Sequence, residues 1–367
     1  MKILLYANSD WFMYNFNRSL SRTLSNRGHK VYLLCPVGKY FNLLINEGFS
    51  CVQSPLKRSG LNIFGDVIFL SWLYKFLRDY DIQVVHSFTL KCAMIASLVG
   101  RIARVPRIVC SITGLGYIFT SSDFKARLLR PLIEFLMRLI FMSERVKVIV
   151  LNETDRRYLR YRKVVTQARL HVVRGSGIDC FSFRPVSKNA DRFVVLLACR
   201  IVRDKGVHEY VAAAQLLKSK GLPIRFWLAG EPDRGNPSSI QIEVISTWVR
   251  EGVIDYLGHV SDIRKLLSDV SVVALPSHRE GLPTSLTEAA ASGLPIVATN
   301  VAGCNEVVRH EVNGLLIPRE DFRALASAIE RLFYEPSLCE RFGLESRKLS
   351  FKYDSYFVNK RVLSIYQ

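Results

Sequence analysis

Short apolar runs alternate with amphipathic segments along almost the whole chain of 367 residues. This alternation is typical of βα units, in which each buried strand of a parallel sheet is followed by a helix that packs on it. One set of strands is predicted at Lys2–Tyr6, Lys30–Cys35, Gln83–His86, Arg107–Ser111, Lys147–Val150 and Leu170–Val173. A second set is predicted at Phe193–Ala198, Arg225–Ala229, Ile254–Tyr256, Ser271–Leu275 and Pro295–Ala298. We therefore expect an α/β protein with two parallel sheets.

A polar segment punctuated by proline, residues 184–192, separates the two sets and is typical of a linker. We place the boundary near residue 187. This gives a first domain over 1–187, a second over 188–350, and a terminal helix over 351–367 that is expected to pack back on the first domain. Residues 1–187 contain 28 Lys and Arg against 11 Asp and Glu, whereas residues 188–367 contain 23 against 21. We therefore expect the first domain to meet any anionic partner.

Cysteine usage and hydropathy indicate the compartment. The eight cysteines are scattered singly, with no CxxC or Cys/His spacing that suits zinc, and are predicted to be buried thiols of a reducing compartment. Met1 leads directly into a strand-like run that is too short for a signal peptide. No stretch approaches the roughly 18 apolar residues of a membrane span. These features predict a cytoplasmic protein.

Common nucleotide-binding motifs are incomplete. The pairs Gly114/Gly116 and Gly175/Gly177 both lack the third glycine of a dinucleotide fingerprint, and the chain contains no P-loop. Asp79-Tyr-Asp81 resembles an acidic metal-binding pair, but it precedes a strand, and a helix-to-strand turn is the favoured interpretation.

The segment from Ser271 to Pro295 is more informative. It predicts a strand that ends at Pro276, a loop that contains Glu280, and a helix that starts near Pro283 and Thr284 and stops at Gly293. In open α/β sheets, ligands bind at this edge, where strand ends and helix N-termini meet. Glu280 in the loop and Glu288 in the helix suit hydroxyl groups of a sugar or ribose, although two surface carboxylates are the commoner case.

Glu280 and Glu288 resemble the E-x7-E signature of family-four retaining glycosyltransferases of the GT-B fold. Ala198-Cys-Arg-Ile-Val-Arg-Asp-Lys-Gly206 is similar to the family loop G-R-L-x-x-x-K-G, with Cys199 in place of glycine. Similar segments follow in the family order at 228–231, 303–308 and 313–318. The resemblance covers nearly the whole chain and implies two Rossmann-like doubly wound domains facing a cleft.

The resemblance also implies roles for individual residues in a UDP-sugar site. The catalytic set is Glu280, Arg200, Lys205 and His86, and the nucleotide-sugar-binding set is Gly230, Glu288, Leu282, Pro283, Thr284 and Arg203. The chemistry of the side chains agrees, because a guanidinium and an ammonium at a strand end can neutralise a departing diphosphate. No metal and no cofactor are therefore expected.

The first domain is expected to receive the acceptor. In place of the glycine-rich loop of the family, it has a segment that begins at Asn8. The acceptor-binding set is Asn8, Thr113, Gly114 and Gly116. Segments after two strands are similar to a bacterial subgroup that extends polyprenyl-diphosphate-linked saccharides. A tight turn at the glycines is an equally good interpretation, and His86 is predicted to contact the reacting centre although a buried core histidine is the alternative.

Residues 124–145 combine a broad apolar face with Lys125, Arg127, Arg130, Arg138 and Arg145. They predict a helix that lies on an anionic membrane surface, with a core-facing helix as the alternative. Arg156, Arg157, Arg160, Arg162 and Lys163 form a second basic cluster. Together these features favour peripheral attachment to the inner face of the plasma membrane.

The sequence therefore predicts a metal-independent retaining glycosyltransferase. It is expected to move a hexose or N-acetylhexosamine from a UDP-sugar to a polyprenyl-diphosphate-linked saccharide in surface polysaccharide assembly. A UDP-sugar epimerase of related two-domain fold is the alternative enzyme. Basic charge alone suggests nucleic-acid binding, but no recognised module supports it, and no nucleic-acid partner is expected. A catalytically inactive sugar-nucleotide-binding module is disfavoured because both glutamates, Arg200 and Lys205 are present.

Overall fold

The computed structural model describes residues 1–55, 63–115, 119, 124–183, 185, 192–233 and 235–367. The chain forms two compact units, one of Met1–Gly177 with Ser355–Gln367 and the other of Ile178–Asp354. The boundary predicted at residue 187 is therefore too late. Cys180 and Phe183 already pack in the core of the second unit, and Ile178 forms a β-bridge with Asp354. Most of the predicted linker, including 184 and 186–191, lies outside the described residues.

The first unit is built on a seven-stranded parallel sheet with the order β3-β2-β1-β4-β5-β6-β7. The strand order reverses direction at β1: β2 and β3 lie on one side of it, and β4 to β7 lie on the other. In doubly wound folds this reversal places helices on both faces of the sheet. Every strand except the two edge strands β3 and β7 is largely buried. The strands are β1 (Lys2–Tyr6), β2 (Lys30–Cys35), β3 (Ser50–Gln53), β4 (Val84–Phe88), β5 (Arg107–Ile112), β6 (Val146–Val150) and β7 (Leu170–Val172).

The helices of the first unit include a five-residue π-helix, Met13–Asn17, between two α-helices that follow β1. The described α-helices are α1 (Asp10–Phe12), α2 (Arg18–Asn26), α3 (Phe41–Asn46), α4 (Ile63–Asp79), α5 (Leu90–Ile102), α6 (Phe124–Phe141), α7 (Glu153–Tyr161) and the terminal helix Ser355–Tyr366. The terminal helix buries Val358 and Val362 in the same apolar cluster as β1. It therefore belongs to the first unit.

The second unit repeats the same topology with a six-stranded parallel sheet of order β10-β9-β8-β11-β12-β13. Its strands are β8 (Phe193–Ala198), β9 (Ile224–Ala229), β10 (Asp255–Gly258), β11 (Val272–Leu275), β12 (Ile296–Thr299) and β13 (Gly314–Ile317). The central strands β8 and β11 lie side by side where the winding reverses. This is the point at which doubly wound sheets bind ligands.

Apolar side chains of the helices in the second unit pack with those of the sheet in one core. They are α8 (Val207–Ser219), α9 (Ile242–Arg250), α10 (Ile263–Leu267), α11 (Thr284–Ala291), α12 (Cys304–Val307), α13 (Phe322–Tyr334) and α14 (Pro336–Ser350). Helix α11 begins at the position predicted from Pro283 and Thr284, and Gly293 follows it with a positive φ of 68°. This agrees with a glycine stop signal.

Helix α6 is apolar on two sides. Its inner side buries Met137 and Phe141, and Glu134 accepts hydrogen bonds from Arg162 and Tyr158. Its outer face, together with the residue that follows the helix, exposes a row of large apolar side chains: Phe124, Leu128, Leu129, Leu132, Phe135, Leu136, Leu139 and Met142. A helix that only covers a core has a polar outer side. The outer face of α6 therefore requires a separate explanation.

The basic clusters near α6 are partly used inside the first unit. Arg162 pairs with Glu134, Arg156 pairs with Glu153, and Arg138 donates to the carbonyl oxygen of Arg162. The second basic cluster is therefore less available to an external anion than its sequence suggests. In the part of the chain that the structure describes, no helix is both long and apolar enough to cross a bilayer.

All eight cysteines lie within the described residues, and all are free thiols. Five are buried, but Cys51, Cys199 and Cys339 are only half-buried. The prediction of eight buried thiols is therefore wrong for these three.

Candidate functional site

Lys205 and Glu280 meet at the carboxyl edge of the second sheet. Lys205 ends a short 3-10 turn, Arg203–Lys205, in the connection from β8 to α8, and Glu280 lies in the loop after β11. The Nζ of Lys205 is 2.5 Å from Oε1 of Glu280, and the two side chains are only 17% and 9% exposed. Because β8 and β11 are neighbours, parallel pairing brings both loops to one edge. The structure thus joins two residues that the sequence predicted for one site.

Two glycines allow the backbone around this pair to pack closely. Gly206 has a φ of 71°, and a Cβ built on it would lie 2.0 Å from the carbonyl oxygen of Pro276. Gly230, at the end of β9, has a φ of 133°, and its Cβ would lie 1.8 Å from the carbonyl oxygen of Cys199. Any side chain at either position would force the loops apart. We therefore expect glycine to be required at both.

The two other basic residues predicted for the site have different surroundings from Lys205. The Nη1 of Arg200 is 2.5 Å from Oδ2 of Asp233, and the arginine side chain is 54% exposed. Arg203 is exposed at the start of the 3-10 turn. Lys205 and Arg200 thus each pair with a different carboxylate, so an incoming diphosphate would compete with Glu280 and Asp233 for them.

Glu288 lies on helix α11, half-buried, about one turn from its start. Burial raises the pKa of its carboxyl group to about 8. The group is therefore largely protonated at neutral pH and can donate a hydrogen bond as well as accept one. A neutral carboxylic acid suits a pair of vicinal hydroxyls. Leu282, Pro283 and Thr284 lead into the N-terminus of the same helix.

His86 does not have the surroundings expected of a residue that contacts substrate. Its Nδ1 is 2.6 Å from the hydroxyl of Tyr366, and its Nε2 is 2.7 Å from Oγ of Ser111. The side chain is 1% exposed, and burial lowers the pKa of the imidazole to about 3. Both nitrogens are therefore used by internal hydrogen bonds, and the ring is neutral. The structure favours the alternative of a buried core histidine.

The residues predicted to bind the acceptor lie in the first unit after β1 and β5, which are separated in the sheet by β4. Asn8 follows β1, and Thr113 and Gly114 follow β5, all three half-buried. Thr113 lines a small cavity with His86, Phe88 and residues of the terminal helix. A Cβ on Gly114 would meet no described atom within 4 Å, so space is open beside it. Gly116 lies outside the described residues.

Asp79 and Asp81 flank a helix-to-strand turn, as predicted. Asp79 ends α4, and the amide of Asp81 donates to the carbonyl oxygen of Arg78. Oδ2 of Asp81 lies 3.7 Å from the ammonium of Lys2. Among the described residues, no group of three or more His, Cys, Asp or Glu side chains could hold a metal ion.

Two residues of this region were not singled out from the sequence. Asp233 is the partner of Arg200, and His278 lies two residues before Glu280 and contacts Glu209 at 2.9 Å. Asp233 is 33 residues from Arg200 along the chain, and Glu209 is 69 residues from His278. Neither pairing leaves a local sequence signal, so only the fold reveals them.

Comparison with known families agrees with this arrangement. Residues 192–335 match the family described as "Glycosyl transferases group 1", and residues 2–143 match "Glycosyl transferase 4-like". The chain belongs to the family-four glycosyltransferases. It is therefore a glycosyltransferase, and the resemblance seen in the two-glutamate segment is confirmed.

Curated relatives of this glycosyltransferase cover most of its length. One relative is the N,N'-diacetylbacillosaminyl-diphospho-undecaprenol alpha-1,3-N-acetylgalactosaminyltransferase of Campylobacter jejuni. The two proteins are 27% identical, and the alignment covers 100% of this chain and 98% of the relative. This glycosyltransferase is also 23% identical to the UDP-Gal:alpha-D-GlcNAc-diphosphoundecaprenol alpha-1,3-galactosyltransferase of Escherichia coli, over 84% of this chain and 81% of the relative.

Solved structures show the same fold. A glycosyltransferase from Rickettsia africae has a TM-score of 0.80 with 17% identity, covering 100% of this chain and 97% of the other. HepE of Anabaena in complex with UDP-glucose has a TM-score of 0.79 with 17% identity, covering 99% and 98%. The predicted GT-B fold, with two parallel-sheet α/β domains, is confirmed.

Proposed function

We propose that this glycosyltransferase moves a hexose or N-acetylhexosamine from a UDP-sugar to a polyprenyl-diphosphate-linked saccharide in surface polysaccharide assembly. The observation that carries the donor half is the pair of Lys205 and Glu280, 2.5 Å apart at the switch point of the second sheet. The acceptor half is supported by the two relatives whose names specify undecaprenyl-diphosphate sugars.

Each residue of the donor site has a role that fits its position. Lys205, with Arg200 and Arg203 nearby in the chain, binds the diphosphate, and the first turn of α11 after Leu282 and Pro283 offers backbone amides, at Thr284 and beyond, to a phosphate oxygen. Glu280 accepts hydrogen bonds from hydroxyls of the donor sugar, and the protonated Glu288 binds the ribose. Gly230 keeps the neighbouring loop close to Cys199.

We infer a same-face displacement that retains the anomeric configuration. The bond between the anomeric carbon and the diphosphate oxygen breaks, and its electron pair passes to the diphosphate. The acceptor hydroxyl attacks from the same face, and its proton moves to the departing diphosphate oxygen. Lys205 and the helix amides stabilise the negative charge that develops there. In this mechanism neither Glu280 nor Glu288 forms a bond to the sugar or transfers the proton.

The proposal is tested by incubating the purified protein with UDP-sugars and membranes that contain lipid-linked saccharides. The products are identified by mass spectrometry, and the anomeric configuration by NMR. We expect one UDP-sugar to extend the lipid-linked saccharide by one residue. Interconversion of UDP-sugars without an acceptor would instead identify an epimerase and contradict the proposal.

Transfer is expected to continue in the presence of EDTA. The mechanism assigns stabilisation of the leaving diphosphate to Lys205, Arg200 and backbone amides, so a chelator removes no group that it uses. The rate of product formation with and without EDTA checks this expectation. Loss of transfer on chelation, with recovery on addition of Mg²⁺ or Mn²⁺, would contradict it and return attention to Asp79 and Asp81.

We also propose that the enzyme is cytoplasmic and binds peripherally to the inner face of the plasma membrane through the outer face of α6. Eight large apolar side chains are exposed there, and Arg127 is exposed on the same helix. Apolar side chains can enter the boundary between headgroups and acyl chains, while cations attract anionic lipid. A lipid-linked acceptor gives the first unit a reason to lie on this surface.

Replacing Leu128 and Leu132 together by glutamate is expected to weaken vesicle binding by about 100-fold or more, because burial of each leucine stabilises the bound state by about 1.5–3 kcal/mol. Sedimentation with vesicles of phosphatidylglycerol and phosphatidylcholine measures the bound fraction. Raising the salt concentration should release part of the wild-type protein, since the screening length is only about 8 Å near physiological ionic strength.

The matched control for this prediction is Leu344→Glu on α14 of the second unit. Leu344 is 66% exposed and Leu128 is 69% exposed, so glutamate at either position adds a charge to a similarly exposed part of the surface. The control should bind vesicles like the wild type, and the double variant should still bind UDP. Equal vesicle binding by the double variant and the wild type would show that the outer face of α6 does not contact the membrane.

A further inference from the structure

His278 joins three segments at the edge of the second sheet. It lies in the loop after β11, two residues before Glu280. Its Nε2 is 2.9 Å from Oε1 of Glu209, which lies in the first turn of α8 just beyond Lys205 and Gly206. Its Nδ1 is 3.7 Å from Oε1 of Glu320, in the loop after β13. The imidazole therefore links the loop that carries Glu280 to the helix that follows Lys205.

Backbone contacts at the same place keep the two loops in register. The amide of His278 donates to the carbonyl oxygen of Asp204 at 2.9 Å, and the hydroxyl of Ser277 donates to the same oxygen at 3.0 Å. Asp204 immediately precedes Lys205. Gly206 then passes so close to Pro276 that no side chain fits between them. Glu280 lies on the same loop as His278, so a shift of this loop would change the distance between Glu280 and Lys205.

The charges around the imidazole favour its protonated form. Its hydrogen bond to Glu209, and then the nearby charges of Glu209 and Glu320, raise the pKa of His278, while burial and Arg319 oppose the rise. Burial, the largest single cause, raises the pKa of the Glu209 carboxyl, but the hydrogen bond from His278, a backbone hydrogen bond and the charges of His278 and His208 together leave it lowered. The imidazole therefore lies between two carboxylates, hydrogen-bonded to one of them, and both favour its protonated form.

We propose that His278 is a positioning residue of the donor site, which holds Lys205 and Glu280 in the geometry that binds the UDP-sugar. The inference rests on the proposed function, since it concerns the same pair of residues. The imidazolium strengthens the link between the two loops, and loss of its proton weakens the link. This makes donor binding depend on pH through a residue that touches neither the diphosphate nor the sugar.

The direction of the pH effect follows from the sign of the shift. Because the proposed link depends on the imidazolium, its contribution to donor binding is present while the folded protein keeps His278 protonated and is lost as the pH rises through the folded pKa. The unfolded value is 6.5 and the folded value lies above it. Donor affinity attributable to His278 should therefore be complete in mildly acidic buffer and decline on the alkaline side of neutrality.

The test compares wild type with His278→Gln, since glutamine can still donate a hydrogen bond to Glu209 but does not titrate. UDP dissociation constants and the kcat and KM for the donor are measured from about pH 5.5 to about pH 9. Wild type should bind UDP about tenfold more tightly than the variant at the acidic end, because a charge-assisted bond is lost, and the ratio should approach one at the alkaline end. Titration of UDP itself cancels in this ratio.

Two further variants sharpen the result. Glu209→Gln removes the partner of His278, so it should reproduce the effect of His278→Gln, and the double variant should be no worse than either single one. His259→Gln is the matched control, because His259 is an exposed histidine of the same unit. Its pH profile should follow that of wild type. Circular dichroism checks that each variant is folded.

The outcomes separate this inference from the function on which it rests. If wild type transfers sugar and its UDP affinity runs parallel to that of folded His278→Gln across the pH range, the inference is overturned and the proposed function stands. If wild type binds no UDP and transfers no sugar at any pH, the proposed function is overturned and the inference falls with it.

Discussion

Lys205→Ala is expected to lower the rate of sugar transfer by about 10²- to 10³-fold, the usual effect of removing one group that stabilises developing charge in a transition state. The ammonium of Lys205 lies where the diphosphate is proposed to leave, and burial of the side chain strengthens its field. Affinity for UDP should fall as well, because the diphosphate is already charged in the ground state. Turnover and calorimetric titration with UDP measure the two effects.

This variant needs a control for folding, since it leaves the carboxylate of Glu280 largely buried without its cation. Breaking a buried pair in this way often destabilises a protein by about 3–5 kcal/mol. Lys205→Met combined with Glu280→Gln removes both charges, and it should recover thermal stability while transfer remains absent. Lys220→Ala, which breaks the pair with Glu330 elsewhere in the second unit, should leave transfer unchanged.

A folded Lys205→Ala protein with normal UDP affinity and normal turnover would remove Lys205 from the donor site. The pairing with Glu280 would then serve only to hold the two loops together. A loss of turnover that is fully restored in the double variant would indicate the same, because both charges are missing there.

The sequence predicts the sheet interiors well because buried parallel strands are continuous apolar runs. β1, β2 and β8 have the predicted bounds, and the other predicted strands differ from the structure by one to three residues at their ends. Two strands, Ser50–Gln53 and Gly314–Ile317, were missed. Ser50–Gln53 lies half-exposed at the edge of its sheet and is not an apolar run, whereas Gly314–Ile317 is apolar and buried but spans only four residues between Asn313 and Pro318.

The site could be predicted only as far as its motifs extend. The spacing of Glu280 and Glu288 fixes one residue in a loop and one on the following helix, and the structure has both there. The partners of these residues depend on contacts between distant segments. Asp233 and Glu209 reach Arg200 and His278 only after β8, β9 and β11 are paired.

His86 illustrates the opposite case. Its place at the carboxyl end of a strand favours a functional role, and this position is all that the sequence reveals. Whether a polar side chain faces a ligand or the interior depends on what fills the space above the strand. Here Tyr366 of the terminal helix and Ser111 of β5 occupy both ring nitrogens. Tyr366 is at the far end of the chain, so sequence reasoning could not find this contact.

Glu280→Gln is expected to lower sugar transfer by about 10- to 100-fold, because a hydrogen bond to a charged acceptor contributes about 1.5–3 kcal/mol and the amide keeps only a neutral oxygen. UDP binding should persist. The diphosphate is proposed to bind Lys205, whose ammonium loses its competing carboxylate in this variant. The combination of retained nucleotide affinity and lost transfer is the signature of a residue that binds the donor sugar rather than the nucleotide.

UDP affinity by calorimetry and turnover with the UDP-sugar identified in the product assay separate these two effects. Glu330→Gln is the matched control, since Glu330 also pairs with a lysine, Lys220, on the surface of the same unit. It should change neither quantity. The opposite pattern for Glu280→Gln, with UDP binding lost but transfer normal at saturating donor, would contradict its assignment to the sugar. Because the two patterns are opposed, a single variant decides which part of the donor Glu280 contacts.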